Sequence, residues 1–280
     1  MQSTIQRRTH TMTNLEYLNL VMSTDFPLDH YDSEYLTKQF NNLKRKEQKS
    51  LSNTGIALIK HYHPSIWRCN IKNHLAPIDA WNDPEIMLKV IDNRLKYLKT
   101  DVLSAYNIRA GLSISKIAPK VSIFRPAMAK YLINKYLNEF KVIFDPCCGF
   151  SGRMLGACAL NKKYIGQDIN SITIKESKQM RDDLKLSSDL RCKDSLYDSG
   201  EYECLFTCPP YSDKETWHQD IEVLSADEWI DACLDNYKCK KYLFVVDKTD
   251  KYKDCVVEEI KNSSHFGTSN EKVILIKRDN

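Results

Sequence analysis

Apolar positions fall into short blocks over residues 121–280, and the blocks alternate between two periods. Runs of strand length and strand composition cover 141–144, 164–167, 190–192, 203–206, 242–246 and 272–277. Between them apolar residues recur at helical spacing over 126–138, 151–160, 171–185, 226–234 and around 256–260. This alternation predicts an α/β fold, with a doubly wound, mostly parallel sheet covered by helices on both faces. The first part of the chain has a different pattern. Residues 14–22 read as a short helix and 26–31 as a loop. Ser33 can cap a helix through Leu36, Phe40 and Leu43 that ends in Lys44-Arg45-Lys46. Asp83-Pro84 opens another helix, with Ile86, Val90, Ile91 and Leu95 on its apolar face. Residues 56–62 are apolar and are read as a strand, with His61 and His63 on one face. Residues 100–122, punctuated by Gly111 and Pro119, read as a connector. The expected organisation is a disordered tail at 1–14, a basic and mainly helical N-terminal region at 15–115, and an α/β domain at 121–280.

Charge sharpens that division. Residues 1–120 hold 17 Lys/Arg against 11 Asp/Glu, a balance of +6, and residues 121–280 hold 24 against 26, a balance of −2. A basic region beside a near-neutral domain suits either a polyanion-binding appendage or a merely solvated surface. No apolar run is long enough to span a membrane and the N-terminus lacks a signal-peptide core. Ten cysteines are scattered without a paired Cys-x-x-Cys pattern, which points to reduced thiols rather than disulfides or a structural zinc. A soluble protein of the cytoplasm of a bacterial or phage-infected cell, or of the nucleoid, is therefore expected, with no metal and no membrane partner.

Two stretches carry candidate chemistry. Thr207-Cys208-Pro209-Pro210-Tyr211 follows the apolar block at 203–206. Neither proline can donate to a sheet ladder, so the chain leaves the sheet there. It leaves at the carboxyl edge, where open α/β sheets bind ligands. The stiff turn offers a fixed carbonyl on Pro209, a small polar side chain on Cys208 and a flat face on Tyr211. These suit a planar base held by its face and its exocyclic amine; an ordinary turn is the plain alternative. The second stretch, from Phe144-Asp145-Pro146-Cys147-Cys148-Gly149 through Ser151-Gly152-Arg153 to Gly156, joins the first strand to the next helix. Its glycine spacing departs from G-x-G-x-x-G, which disfavours a nicotinamide or flavin enzyme. Asp145 would repel a pyrophosphate but attract an ammonium group. Asp168 stands just past the second strand, where a carboxylate can accept ribose hydroxyls. An ammonium-binding acid, a glycine turn and a ribose-binding acid describe a site for S-adenosylmethionine better than one for a dinucleotide.

The second stretch, with Tyr164-Ile165-Gly166-Gln167-Asp168-Ile169-Asn170 after it, resembles the cofactor motifs of the DNA N4-cytosine/N6-adenine amino-methyltransferases. It is most similar to phage- and plasmid-type members with a D-P-x-x-G-x-x-G-R-x-L-G-A turn. Phe124-Arg125-Pro126 resembles their accessory cofactor motif, Asp194 matches a polar position near the cofactor adenine, and T-C-P-P-Y stands where they carry the catalytic motif. The resemblance covers about residues 121–280. It implies a seven-stranded, Rossmann-like methyltransferase sheet with S-adenosylmethionine as cofactor. The cofactor-binding residues it implies are Phe124, Arg125, Pro126, Asp145, Pro146, Cys147, Gly149, Gly152, Asp168, Ile169, Asp194 and Thr207. Cys208, Pro209, Pro210 and Tyr211 become catalytic. The pattern leaves no room for a large recognition domain after Tyr211, so the basic N-terminal part is expected to take that role. Lys44, Arg45, Lys46, Arg68 and Trp217 are the candidate nucleic-acid contacts.

The implied chemistry is direct methyl transfer to a flipped-out base of DNA, with RNA the less favoured nucleic acid. Tyr211 stacks on the base, while the Pro209 carbonyl and the Cys208 side chain accept hydrogen bonds from its exocyclic amine. Cys208 departs from the Asp, Asn or Ser usual at its position, and a thiol is the weakest acceptor of that set. It can stand in for serine, mark a protein that only binds, or act as a nucleophile on cytosine carbon 5. The first reading is preferred, because the Glu-Asn-Val motif of the last is absent. Alternatives from other classes are an RNA or protein-amide methyltransferase and an inactive nucleic-acid-binding module. Restriction protection and phage biology are the settings the resemblance suggests.

Overall fold

The computed structural model describes residues 12–45, 51–71, 73–98, 103–210, 215–216, 224–264 and 267–278. The expected tail at 1–14 lies mostly outside them. The N-terminal part holds α1 (Asn14–Met22), α2 (Ser33–Arg45), α3 (Ile56–Tyr62), α4 (Pro77–Trp81), α5 (Pro84–Tyr97) and α6 (Ala105–Ile114). Local chemistry sets their starts. Thr13 and Glu16 form a capping box on α1, and the Asp83 carboxylate accepts the N–H groups of Glu85 and Ile86 at 2.9 and 3.1 Å on α5. On α2 the carboxylate of Asp32, one residue before the expected Ser33, accepts the Tyr35 N–H at 2.7 Å. Two readings are corrected here. The apolar block at 56–62 is a helix, with His63 at its C-cap, so His61 and His63 share no strand face. The expected connector contains α6, whose first turn is capped by Ser104.

These helices divide between two cores. Leu36, Phe40, Leu43, Leu58, Ile59 and Ile66 pack into the core of the α/β part. Tyr17, Val21, Trp81, Val90, Ile91, Ile108 and Leu112 close a second, smaller core. Trp81 is 1 % exposed, and burying a large side chain contributes about 1.5–3 kcal/mol over leaving it exposed.

The remaining helices are α7 (Pro126–Tyr136), α8 (Gly152–Ala159), α9 (Ser171–Leu184) and α10 (Ala226–Asn236). They flank a seven-stranded sheet of β1 (Val142–Asp145), β2 (Lys163–Asp168), β3 (Ser188–Cys192), β4 (Cys204–Thr207), β5 (Lys241–Val246), β6 (Val256–Ser264) and β7 (Gly267–Lys277). Its order is β6-β7-β5-β4-β1-β2-β3. The first five strands pair in parallel and β7 runs antiparallel to both neighbours. This is the mostly parallel, seven-stranded α/β sheet that the pattern and the resemblance imply. Strand side chains alternate between faces. Ile143, Phe206, Leu243, Val245 and Val273 meet α7, α8 and α9 on one side. Phe144, Leu205, Tyr242, Phe244 and Ile274 meet α10 on the other. Residues 256–260, expected as a helix, begin β6 instead, after a short 3-10 turn at Lys253–Cys255. A bulge at Val256/Glu258 and the pairing with β7 settle them as strand, and Glu258 accepts hydrogen bonds from Tyr131, Lys135 and Tyr136 of α7. No helix among the described residues is long and apolar enough to cross a membrane.

Candidate active site at the carboxyl edge of the sheet

A cleft of about 250 Å³ opens over the carboxyl ends of the parallel strands. Its floor is the turn between β1 and α8. Gly149 there has a φ of +50°, a region that favours glycine, and a Cβ added to it would meet nothing within 4 Å. The turn thus leaves open space where its backbone faces the cleft. Three residues on, the constraint reverses: a Cβ on Gly152 would stand 2.0 Å from the Phe124 carbonyl oxygen. Only glycine lets the segment leading to α7 lie against the turn, and that contact brings Phe124 and Arg125 into the cleft wall.

Asp168 ends β2 beside this turn. Its Oδ2 accepts the Gly149 N–H at 2.8 Å and its Oδ1 the Asn170 N–H at 3.0 Å. Burial raises the carboxyl pKa, against the lowering effect of the Asn170 and Gly149 donors. Each oxygen keeps acceptor capacity and the carboxylate lines the cleft. Asp194, just past β3, is half-buried in the same wall and accepts the Leu196 N–H at 2.9 Å.

Asp145 is placed differently from the expectation. It is 0 % exposed, and its carboxylate takes the Arg153 Nε at 2.6 Å, the Tyr164 hydroxyl at 2.5 Å and the Thr207 hydroxyl at 2.8 Å. It also accepts the Cys147 N–H at 3.2 Å. A carboxylate so fully engaged cannot hold a ligand's ammonium group; it fastens β1, β2, β4 and α8 beneath the cleft. Burial alone would lower the Arg153 pKa, but the charge of Asp145 outweighs it and the guanidinium is held above its usual range. Arg153 also donates to the Cys147 carbonyl and lies 4.8 Å from the Phe124 ring centroid. Thr207 is spent on Asp145, and Pro126 is buried as the first residue of α7, so neither faces the cleft.

Pro146, Cys147, Gly149, Gly152 and Ile169 of the implied cofactor set do line it. So do Cys208, Pro209 and Pro210, which leave β4 at the same edge. Tyr211, Trp217 and Lys46 lie outside the described residues. Burial raises the Cys147 and Cys148 thiols well above their ordinary pKa, which keeps them neutral, and none of the cysteines is in a disulfide. Among the candidate nucleic-acid contacts, Lys44, Arg45 and Arg68 are exposed, whereas Trp67, beside Arg68, is 5 % exposed and belongs to the core.

The sequence reading missed several wall residues: Met128, Asn170, Leu196, Trp229 and Glu271. Asn170 had a signal, since it caps α9 directly after Asp168-Ile169. Glu271 had none, because its strand follows a segment read as helix. It also missed a buried support behind the glycine turn. Ser151, at a φ of 58°, donates from Oγ to the Ser177 hydroxyl at 2.7 Å, and Ser177 is 3.0 Å from His63 Nε2. His63 Nδ1 is 3.2 Å from the Ile59 carbonyl. A carbonyl can only accept, so Nδ1 carries the proton, Nε2 accepts, and the chain runs one way from Ser151 to Ile59. Burial pushes the His63 imidazole down to about 4, with the Ile59 contact opposing. Among the described residues no group of His, Cys, Asp and Glu is arranged to hold a metal ion.

No protein-family profile matches the chain, and no curated protein matches it significantly. Among solved structures it is similar to PH1948 of Pyrococcus horikoshii, a candidate RNA methyltransferase, at 9 % identity and a TM-score of 0.43 over 55 % of this chain and 81 % of that one. It is also similar to HI0767 of Haemophilus influenzae, a candidate methylase, at 13 % identity and a TM-score of 0.40 over 56 % and 92 %. A third is the magnesium protoporphyrin IX methyltransferase ChlM of Synechocystis with bound SAM, at 11 % identity and a TM-score of 0.40 over 66 % and 90 %. Similarity at this level transfers no residue role to this chain.

Proposed function

We propose that the chain is an S-adenosylmethionine-dependent methyltransferase acting on the exocyclic amine of a flipped-out DNA base, N4 of cytosine or N6 of adenine. The observation that carries this reading is convergence. The Gly149 turn with Asp168, and the rigid Cys208-Pro209-Pro210 turn, come from separate parts of the chain and line one cleft. The residues fit the cofactor: Gly149 leaves the space a side chain would fill, Asp168 keeps acceptor capacity on both oxygens, and Phe150, Met128 and Leu196 give apolar wall. Bound S-adenosylmethionine supplies an electrophilic methyl group. Asp168 accepts the ribose hydroxyls, and Asp194 stands toward the nucleoside base. The Pro209 carbonyl and the Cys208 side chain, held stiffly by the two prolines, orient the amine of the target base. Catalysis of this kind is mainly positioning and electrostatics.

The test combines binding and transfer. Asp168→Asn should weaken S-adenosylmethionine binding by calorimetry about ten- to a hundredfold, the worth of hydrogen bonds to a charged acceptor. Labelled methyl should pass to an amino group of duplex DNA, read by nucleoside mass spectrometry, and Cys208→Ser should keep or raise the rate. Label on cytosine carbon 5, lost in Cys208→Ser, would make Cys208 a nucleophile instead. Transfer to RNA alone would move the substrate, and absence of cofactor binding would sink the reading altogether.

A further inference from the structure

Three carboxylates line the cleft among the described residues: Asp168, Asp194 and Glu271. Asp168 ends β2 and Asp194 follows β3. Glu271 is at the other end, and the strand register says where. The β7–β5 ladder ends at Lys272↔Val246, so Glu271 is the first β7 residue beyond the end of β5, while its own backbone still pairs with Ile260 of β6. Residues two apart on a strand share a face. Val273, two residues from Glu271, and Phe206, two residues from Cys208, belong to one buried cluster, and Cys208 packs against that same cluster. Glu271 and Cys208 therefore stand on one face of the sheet at one edge. β4 and β7 are separated only by β5. Two strand spacings are about 10 Å, which leaves room for a planar base between the Cys208 turn and Glu271. Asp168 lies two strands away on the opposite side of β4. The edge thus has a nucleoside end, a turn, and then a further acid.

The chemistry at the turn calls for an acceptor. An exocyclic amine conjugated to its ring is a poor nucleophile, and it must lose a proton once it gains a methyl group. Pro209 can accept one N–H but cannot take a proton, and the Cys208 thiol is a weak acceptor. We infer that Glu271 is a catalytic residue that, in place of the Cys208 thiol, accepts the second N–H of the target amine and takes its proton; this rests on the methyltransferase reading above. In the step, the nitrogen lone pair forms the bond to the methyl carbon as the carbon–sulfur bond breaks, its electron pair going to sulfur. The amine proton passes to the Glu271 carboxylate, which returns it to water.

The experiment uses the full chain with Glu271→Gln and Glu271→Ala, and two readouts. The first is binding, with S-adenosylhomocysteine present, of oligonucleotides that carry adenine or cytosine against ones that carry purine or pyrimidin-2-one, which lack the amine. The wild type should prefer the amine-bearing partner of one pair, Glu271→Gln should keep that preference because an amide oxygen still accepts, and Glu271→Ala should lose it. The second is methyl transfer, where Glu271→Gln should lower kcat at least about a hundredfold with little change in KM, the usual scale for a missing general base. Unchanged S-adenosylhomocysteine affinity shows that each variant is folded. Transfer by both variants within threefold of the wild type would overturn the role of Glu271 and leave the methyltransferase reading standing. A wild type that neither transfers methyl to any nucleic acid nor distinguishes the amine-bearing oligonucleotides would overturn both.

Discussion

The two ends of the cleft are built in opposite ways. Beneath the Gly149 and Asp168 end, polar groups are buried and engaged. Asp145 is surrounded by donors, Asp168 holds two backbone N–H groups, and Ser151 is braced through Ser177 by His63. At the Cys208 end the turn after β4 relies on two prolines for its shape, and its chemical group is a thiol. Networks of the first kind hold a fixed geometry because any unmade bond is costly in a dry interior. A proline turn holds its shape covalently and leaves the side chains at its tip open to change. Stability and function are therefore expected to separate: substitutions in the buried network around Asp145 should unfold the protein, and those at the tip of the Cys208 turn should leave it folded and alter its chemistry.

Asp145→Ala tests this difference in construction most severely. It strands the Arg153 guanidinium, 3 % exposed, without its counter-charge. Removing one member of a buried pair costs about 3–5 kcal/mol, so the urea midpoint should collapse. Cys208→Ala, at the half-buried tip, should shift it far less. Equal losses in the two variants would mean that the ends are not built differently.

A second effect comes from His63. Its folded pKa, about 4, lies below the usual 6.5 because the ring is buried. Between those values the unfolded chain binds the extra proton, so stability rises with pH through that window and is lost as pH falls from about 6.5 toward about 4. Linkage puts the loss between pH 7 and pH 5 at about 2 kcal/mol. His63→Asn removes the titrating group while keeping a donor and an acceptor. The stability gap between wild type and variant, from urea unfolding, should narrow by that amount over those two pH values. A gap independent of pH would show that His63 is not held neutral between Ile59 and Ser177.

What was legible in the sequence follows the same division. The turn residues Gly149 and Gly152, the strand-end acid Asp168 and the Cys208-Pro209-Pro210 exit could be located because glycine, proline and strand ends have local causes. Asp145 could be located too, but not its partners: Tyr164, Thr207 and Arg153 reach it from three other elements. A strand-tip acid reads alike whether it faces a ligand or an arginine. The same limit explains the misread elements. Residues 56–62 are apolar without an audible period, and the side of α3 that meets the main core is settled by contacts with α9 and α2. Residues 256–260 fitted the rhythm of helices between strands, and only pairing with β7 makes them a strand. Glu271 became visible only with that ladder in place.

The smallest effect concerns the N-terminal region and its basic helix end. Lys44 and Arg45 stand in the last turn of α2, where cations favour the helix dipole, worth about 0.3–1 kcal/mol. That service is already given from the side. Lys130 of α7, 9 % exposed, donates to the carbonyls of Leu43 and Lys44 at 2.7 and 2.8 Å, which satisfies this end of the helix from within the core. Two exposed cations beyond it add little to folding and remain suited to phosphates. Arg45 borders a shallow polar groove with Lys38 and Asn41, and the Lys44 ammonium lies 5.0 Å from the Phe40 ring centroid, its stem laid along the helix. The double variant Lys44→Ala/Arg45→Ala should weaken nucleic-acid binding alike for every sequence and reduce the slope of log affinity against log salt by about 2, near 0.9 for each lost phosphate contact. Its urea midpoint should barely move. An unchanged salt slope with a lowered midpoint would instead assign both cations to the dipole, and place the polyanion contact elsewhere on the basic half of the chain.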